Sequence, residues 1–131
     1  MQQKTFFSGI VRVAFLCFGL WPLASCRAQN IPDDALQKIA QAVPAKATAK
    51  PQRARRLLIF TATKGFRHSS IPHGAKALEL MGQKTGAFTT VVTEDYAIFD
   101  AAKLQQFDAV CLLSTTGAIF DTPEKRKAIS D

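Results

Sequence analysis

The chain has 131 residues, enough for one domain and too few for two of ordinary size. Its net charge is +7, but residues 57–131 hold as many acidic as basic side chains, so the whole excess lies in residues 1–56. With equal numbers of acidic and basic side chains, residues 57–131 show no cluster of basic residues of the kind that binds nucleic acid. Three cysteines are too few for a disulfide framework.

Residues 1–25 have the layout of a secretory signal peptide of the lipoprotein type. Lys4 and Arg12 precede an apolar run, residues 13–23, which is shorter than the roughly 20 residues that a transmembrane helix needs. The run leads into the sequence LASC, which resembles a bacterial lipoprotein box with cleavage before Cys26 and lipid on its sulfur. Ordinary secretion, with cleavage after Ala28, is the alternative. We therefore expect an exported protein of the cell envelope, anchored to the membrane through Cys26.

Residues 26–55 have the composition of a flexible linker, rich in alanine, glutamine, proline and basic residues. Pro32 and two acidic residues precede apolar positions at helical spacing, which predicts one short helix within the linker. The basic side chains at its end are typical of a solvated segment.

Residues 56–131 alternate between apolar strand-like runs and helical patterns, which predicts a doubly wound parallel α/β sheet. Ser70 stands where a helix cap belongs, Pro72 lies in the first turn, and Gly86 marks the helix end. Asp100 is expected to cap a short helical turn. The predicted strands are residues 56–62, 88–93 and 109–113, and the predicted helices are residues 71–85, a turn after Asp100 and a segment starting at Thr122.

The third predicted strand is a continuous apolar run, residues 109–113, and we expect it to be buried on both faces. Such burial needs a further neighbouring strand, so the sheet is expected to be incomplete in this chain. We interpret residues 56–131 as the N-terminal part of a larger domain, inactive alone. Cys111 lies inside the strand, away from a strand-to-helix elbow, and is expected to be a small buried apolar side chain.

The motifs of this region resemble the ThuA-like (trehalose-utilisation) family. They are KGFRH at residues 64–68, SIP opening the helix, TED ending at Asp95, FDAV before the third strand, and TTG ending at Gly117. The resemblance covers residues 56–131 and implies a flavodoxin-like fold, related to class I glutamine amidotransferases, and a role in sugar metabolism. It implies a sugar or other small polar ligand and leaves the reaction open. The resemblance identifies no cofactor, and we expect none.

Ligands of such sheets bind beyond the carboxyl ends of the strands, beside helix N-termini. His68 precedes the first domain helix, and we regard it as the catalytic candidate, because a neutral imidazole can act as a general base. Packing against the helix start is the structural alternative for His68. The candidate substrate-binding residues are Lys64, Gly65, Arg67, Glu94, Thr115 and Thr116.

Two other kinds of function stay open from the sequence. Hydroxyl residues around the helix start permit a flavin- or phosphate-binding module, and the sheet could also scaffold a non-catalytic interaction protein of the envelope. His68 and His73 are five residues apart, whereas two histidines that bind one metal from the same helix face are usually four apart. No metal site is therefore predicted.

Overall fold

A computed structural model describes residues 30–130 of the chain. The sheet strands are β1 (Arg56–Phe60), β2 (Thr89–Thr93) and β3 (Ala109–Leu112). The helices are α1 (Asp33–Ala42), α2 (Ile71–Thr85), α3 (Ala101–Leu104) and α4 (Pro123–Ser130), with a short 3-10 helix at Tyr96–Phe99.

The three strands form one all-parallel sheet with β1 in the middle, in the order β2-β1-β3. Leu58 of β1 pairs with Val91 on one side and with Val110 on the other. The connection from β1 to β2, which contains α2, leads to one side of β1, and the connection from β2 to β3, which contains α3, leads to the other side. Because crossovers between parallel strands are right-handed, these two connections lie on opposite faces of the sheet. This doubly wound α/β sheet is consistent with the predicted flavodoxin-like arrangement.

Helix α2 has the bounds that the sequence predicts. Pro72 fits its first turn, because a proline there lacks only an amide proton that the helix does not use. Gly86 ends the helix in the left-handed region, with φ +63, and donates its backbone N–H to Gly82 O. Ile71 and Ala75 of the predicted apolar face are buried against the sheet side of the molecule.

The prediction that Ser70 caps α2 is wrong. Its side chain accepts no capping hydrogen bond, and its backbone is already helical, with φ −77 and ψ −13. The chain enters α2 through a tight turn, in which the Ile71 N–H donates to His68 O. A capping hydroxyl accepts from the second or third N–H of a helix, and the second residue of α2 is Pro72, which has no N–H.

Aromatic side chains form the core on the face of the sheet opposite α2. Phe60, which is fully buried, contacts the ring of Phe99 edge to face, with centroids 4.9 Å apart. Tyr96 and Phe120 complete this cluster. Asp100 caps α3 as predicted, accepting a hydrogen bond from the Ala102 N–H.

Among residues 30–130, β3 is not buried on both faces, and its exposure agrees with the expectation that the sheet is incomplete in this chain. Val110 and Leu112 are 41% and 46% exposed, and Cys111 is half-buried. Within residues 30–130, β3 pairs only with β1 and is therefore an edge strand. Central β1 contains the fully buried run that the apolar pattern predicts, Leu58 to Phe60. The strands are one or two residues shorter than predicted, and all three lie within their predicted ranges.

The linker is tied to the amino end of the sheet. Asp108, which precedes β3, forms ion pairs with Arg53 and Arg55 and accepts the Arg56 N–H. Helix α1 is the predicted linker helix, and it packs on α2, whose Lys84 ammonium donates to Ala40 O at 2.7 Å. Among residues 30–130, no helix is long and apolar enough to cross a membrane.

Candidate functional site

The carboxyl ends of all three strands lie at one edge of the sheet, because the strands are parallel. The β1–α2 loop (residues 61–70) and the β3–α4 loop (residues 113–122) leave this edge side by side. In an open α/β sheet, the crevice between neighbouring strands whose connections diverge is the usual ligand position. Here that position lies between β1 and β3.

Backbone hydrogen bonds join the two loops directly. The N–H groups of Lys64 and Gly65 both donate to Thr116 O, at 2.9 Å and 3.3 Å. In return the Thr116 hydroxyl donates to Phe66 O. The structure therefore brings together three of the predicted binding residues, Lys64, Gly65 and Thr116.

Gly117 permits this close approach of the loops. Its φ is +75, and a Cβ added there would lie 2.9 Å from the Gly65 nitrogen, closer than side-chain atoms normally come to backbone. Ser114, at the start of the β3–α4 loop, also has a positive φ, +48, which is uncommon for a residue other than glycine. The sequence gives no sign of the backbone conformation at Ser114.

Arg67 and Glu94 form an ion pair across the site, with Nη2 and Oε1 2.7 Å apart. The Arg67 guanidinium also donates to Thr61 O at 3.2 Å, and the hydroxyl of buried Thr61 lies 3.4 Å from the Glu94 carboxylate. The pair joins the β1–α2 loop to the end of β2. Both side chains stay accessible, at 36% for Arg67 and 51% for Glu94, so their unused donors and acceptors face solvent.

His68 lies at the exposed end of the β1–α2 loop. Its imidazole meets the ring of Phe66 edge to face, with centroids 4.8 Å apart. Within the part of the chain that the structure describes, no carboxylate hydrogen-bonds this imidazole, so no third group orients it as in a catalytic triad.

Thr115 and Asp121 are polar residues of the β3–α4 loop and lie on the β3 side of the candidate site. Thr115 is half-buried and directly follows Ser114 at the strand end. A hydrogen bond from the Lys125 ammonium is the main cause that holds the pKa of Asp121 below its usual value, and the charge of Lys64 lowers it further. Asp121 is thus an anionic group near Lys64 that the sequence patterns did not single out.

Residues 30–130 contain no cluster of three or more histidine, cysteine, aspartate or glutamate side chains able to hold a metal ion. Cys26, the predicted lipidation site, lies outside the described residues. Thr61 and Phe66 contact the site residues but are not among the predicted substrate-binding residues, although both stand within the polar loop between β1 and α2.

A comparison with family models matches ThuA, described as trehalose utilisation, to residues 56–131, more than half of the chain. The chain belongs to the ThuA family. The matched residues begin with β1 and include all three strands and both loops of the candidate site, so the site lies entirely within the ThuA domain. No curated protein and no solved structure matches the chain.

Proposed function

We propose that this ThuA domain binds or processes a carbohydrate, trehalose or a related sugar, at the carboxyl edge of its sheet. Membership in a family described by trehalose utilisation relates the chain to that role. The observation that supports the finer proposal is the hydrogen-bonded junction of the two loops, with the accessible Arg67–Glu94 pair beside it.

The chemistry of the junction suits a polyhydroxylated ligand. Each sugar hydroxyl both donates and accepts a hydrogen bond, so a site for it needs both kinds of partner close together. The Arg67 guanidinium has N–H donors left after its contacts with Glu94 and Thr61, and the Glu94 carboxylate keeps free acceptor positions. The Thr115 hydroxyl and the Lys64 ammonium supply further polar groups at the rim.

His68 is the proposed proton-transfer group. Its imidazole lies on the same loop as Arg67 and is exposed, so it can reach a bound hydroxyl from the solvent side. The ring of Phe66 contacts the imidazole edge to face. In this role His68 would take a proton from a sugar hydroxyl, or polarise a sugar carbonyl as a donor.

Calorimetric titration of the full-length protein with trehalose tests the proposal. We expect saturable binding by the wild type and weaker binding, or slower turnover where turnover is detected, by the variant His68→Ala. The control is His73→Ala, since His73 lies on α2 and its ring contacts only the Ser69 carbonyl among the described polar groups. Unchanged affinity and turnover in His68→Ala would remove His68 from the proposal, and absence of sugar binding by the wild type would overturn the proposal.

We also propose that the protein is exported and anchored in the cell envelope through lipid on Cys26. The apolar run and the LASC sequence support this. In a bacterial host, Cys26→Ser should shift the protein from the membrane fraction to the soluble envelope fraction, and Cys17→Ser, a change within the leader, should leave it with the membrane. Equal fractionation of both variants would contradict the anchor and favour ordinary secretion with cleavage after Ala28.

A further inference from the structure

Phe66 is the most exposed large apolar side chain among residues 30–130, with 71% of its surface accessible. Single exposed apolar side chains are common on protein surfaces. The backbone of Phe66, however, is fixed at the loop junction, where its carbonyl accepts the Thr116 hydroxyl and the preceding Gly65 amide donates to Thr116 O. An apolar ring is thus held in solvent at the polar candidate site.

The neighbours of Phe66 define what the ring can contact. His68 lies against it at 4.8 Å, and Arg67, between the two in sequence, turns away to pair with Glu94. The ring therefore contacts the proposed proton-transfer group, and the next residue along the chain, Arg67, belongs to the ion pair. A ligand that touches Phe66 and Arg67 together must present an apolar surface beside hydroxyl groups.

A pyranose ring has that surface. Its C–H groups form an apolar patch on one side of the ring, while the hydroxyls project around the rim. An aromatic face packed on the C–H patch removes apolar surface from water and gains dispersion contacts. We infer that Phe66 is the platform on which a pyranose ring of the sugar stacks, with its hydroxyls directed to the Arg67–Glu94 pair.

This inference rests on the proposed function and narrows the ligand to sugars with a rigid six-membered ring. An acyclic polyol such as sorbitol offers the same hydroxyls without a fixed apolar face, so it should gain nothing from Phe66. A stacking contact that buries about 50–60 Å² of apolar surface corresponds to roughly a tenfold change in the dissociation constant.

The test is calorimetric titration of the full-length wild type, Phe66→Ala, Phe66→Leu and Phe66→Trp with trehalose, methyl glucoside and sorbitol. We expect Phe66→Ala to weaken binding of both pyranosides about tenfold, Phe66→Leu to weaken it less, since leucine keeps apolar surface without a flat ring, and Phe66→Trp to retain it. Any sorbitol binding should not change. The control is Ile129→Ala on α4, an exposed apolar residue outside the site, which should bind like the wild type.

The outcomes separate the two claims. Pyranoside binding by the wild type that survives Phe66→Ala and Phe66→Leu at full strength would overturn the stacking role and leave the proposed function standing. Absence of any sugar binding by the wild type would overturn both. Circular dichroism of each variant checks that the fold is retained, as expected for a side chain exposed to this degree.

Discussion

The Arg67 guanidinium and the Glu94 carboxylate, 2.7 Å apart, connect the loop after β1 to the end of β2. Both groups keep a third or more of their surface in solvent, and exposed ion pairs contribute less than about 1 kcal/mol to stability. Arg67→Lys should therefore barely change the free energy of unfolding. It should weaken trehalose binding about tenfold, because hydrogen bonds from a charged group contribute about 1.5–3 kcal/mol and a lysine cannot reach both Glu94 and a ligand. Denaturant titration and calorimetry measure the two effects.

The Lys76–Glu79 pair on α2 is a matched control for the Arg67–Glu94 pair. Its atoms are 3.3 Å apart and its side chains are similarly half-buried. Glu79→Gln should therefore affect stability about as little as Arg67→Lys does and leave sugar affinity unchanged. Equal loss of sugar affinity in both variants would show that Arg67 acts on binding only through general stability.

Gly117→Ala should destabilise the domain, because the alanine Cβ would meet the Gly65 nitrogen at 2.9 Å and φ at this position is +75. Gly86→Ala is the comparison variant, because Gly86 has a similar positive φ, +63, and a Cβ added there would have no atom within 4 Å. Backbone strain alone should cost about 1 kcal/mol at Gly86, and the contact should add at least about 1 kcal/mol at Gly117. Thermal unfolding of both variants measures the difference, and equal losses would mean that the loops are not in contact at Gly117.

Thr116→Val removes the side-chain hydrogen bond between the two loops and keeps the shape of the residue. We expect a stability loss of about 1 kcal/mol. Because Lys64 and Gly65 donate to the Thr116 carbonyl, their amides should also exchange with solvent faster in the variant.

Thr115→Val is the control for this exchange experiment, since Thr115 is the neighbouring residue of the same type. Its stability should change by less than about 0.5 kcal/mol and the amides of Lys64 and Gly65 should keep their protection. Faster exchange in both variants, or in neither, would contradict the role of the Thr116 hydroxyl.

Asp108 makes stability depend on pH in the acid range. A hydrogen bond from the Arg55 side chain, and next the Arg56 N–H, lower its pKa below the usual 3.8. A depressed pKa in the folded state means that the ionised carboxylate stabilises the fold above pH 3.8, and that this contribution is lost as the pH falls through the folded value. Asp108→Asn should be less stable than the wild type at neutral pH, and the difference in Tm should shrink below pH 3.8. A constant difference would contradict the assignment.

The elements that local chemistry controls were predictable from the sequence. Helix α2 has its predicted bounds because Pro72 and Gly86 fix its ends through their own backbone restrictions. The contact between Lys64 and Thr116 was foreseeable too, because parallel strands place the loops that follow them at one edge.

The features that depend on tertiary structure were not predictable. Ser70 fits a capping pattern, yet its backbone is already helical and its side chain makes no capping hydrogen bond. The apolar run of β3 predicts burial, but the exposure of Val110 depends on which strands lie beside it. The Arg67–Glu94 pair depends on the path of a loop that no local pattern specifies.

NMR chemical shifts of the backbone amides, followed during titration with trehalose, would locate a sugar site on the domain. We expect saturable shifts at the carboxyl edge of the sheet, in residues 64–68, at Glu94 and in residues 115–117, and no shifts for the amides of residues 47–54 at the opposite edge. Shifts confined to residues 47–54, or no shifts at any trehalose concentration, would contradict a sugar site between β1 and β3.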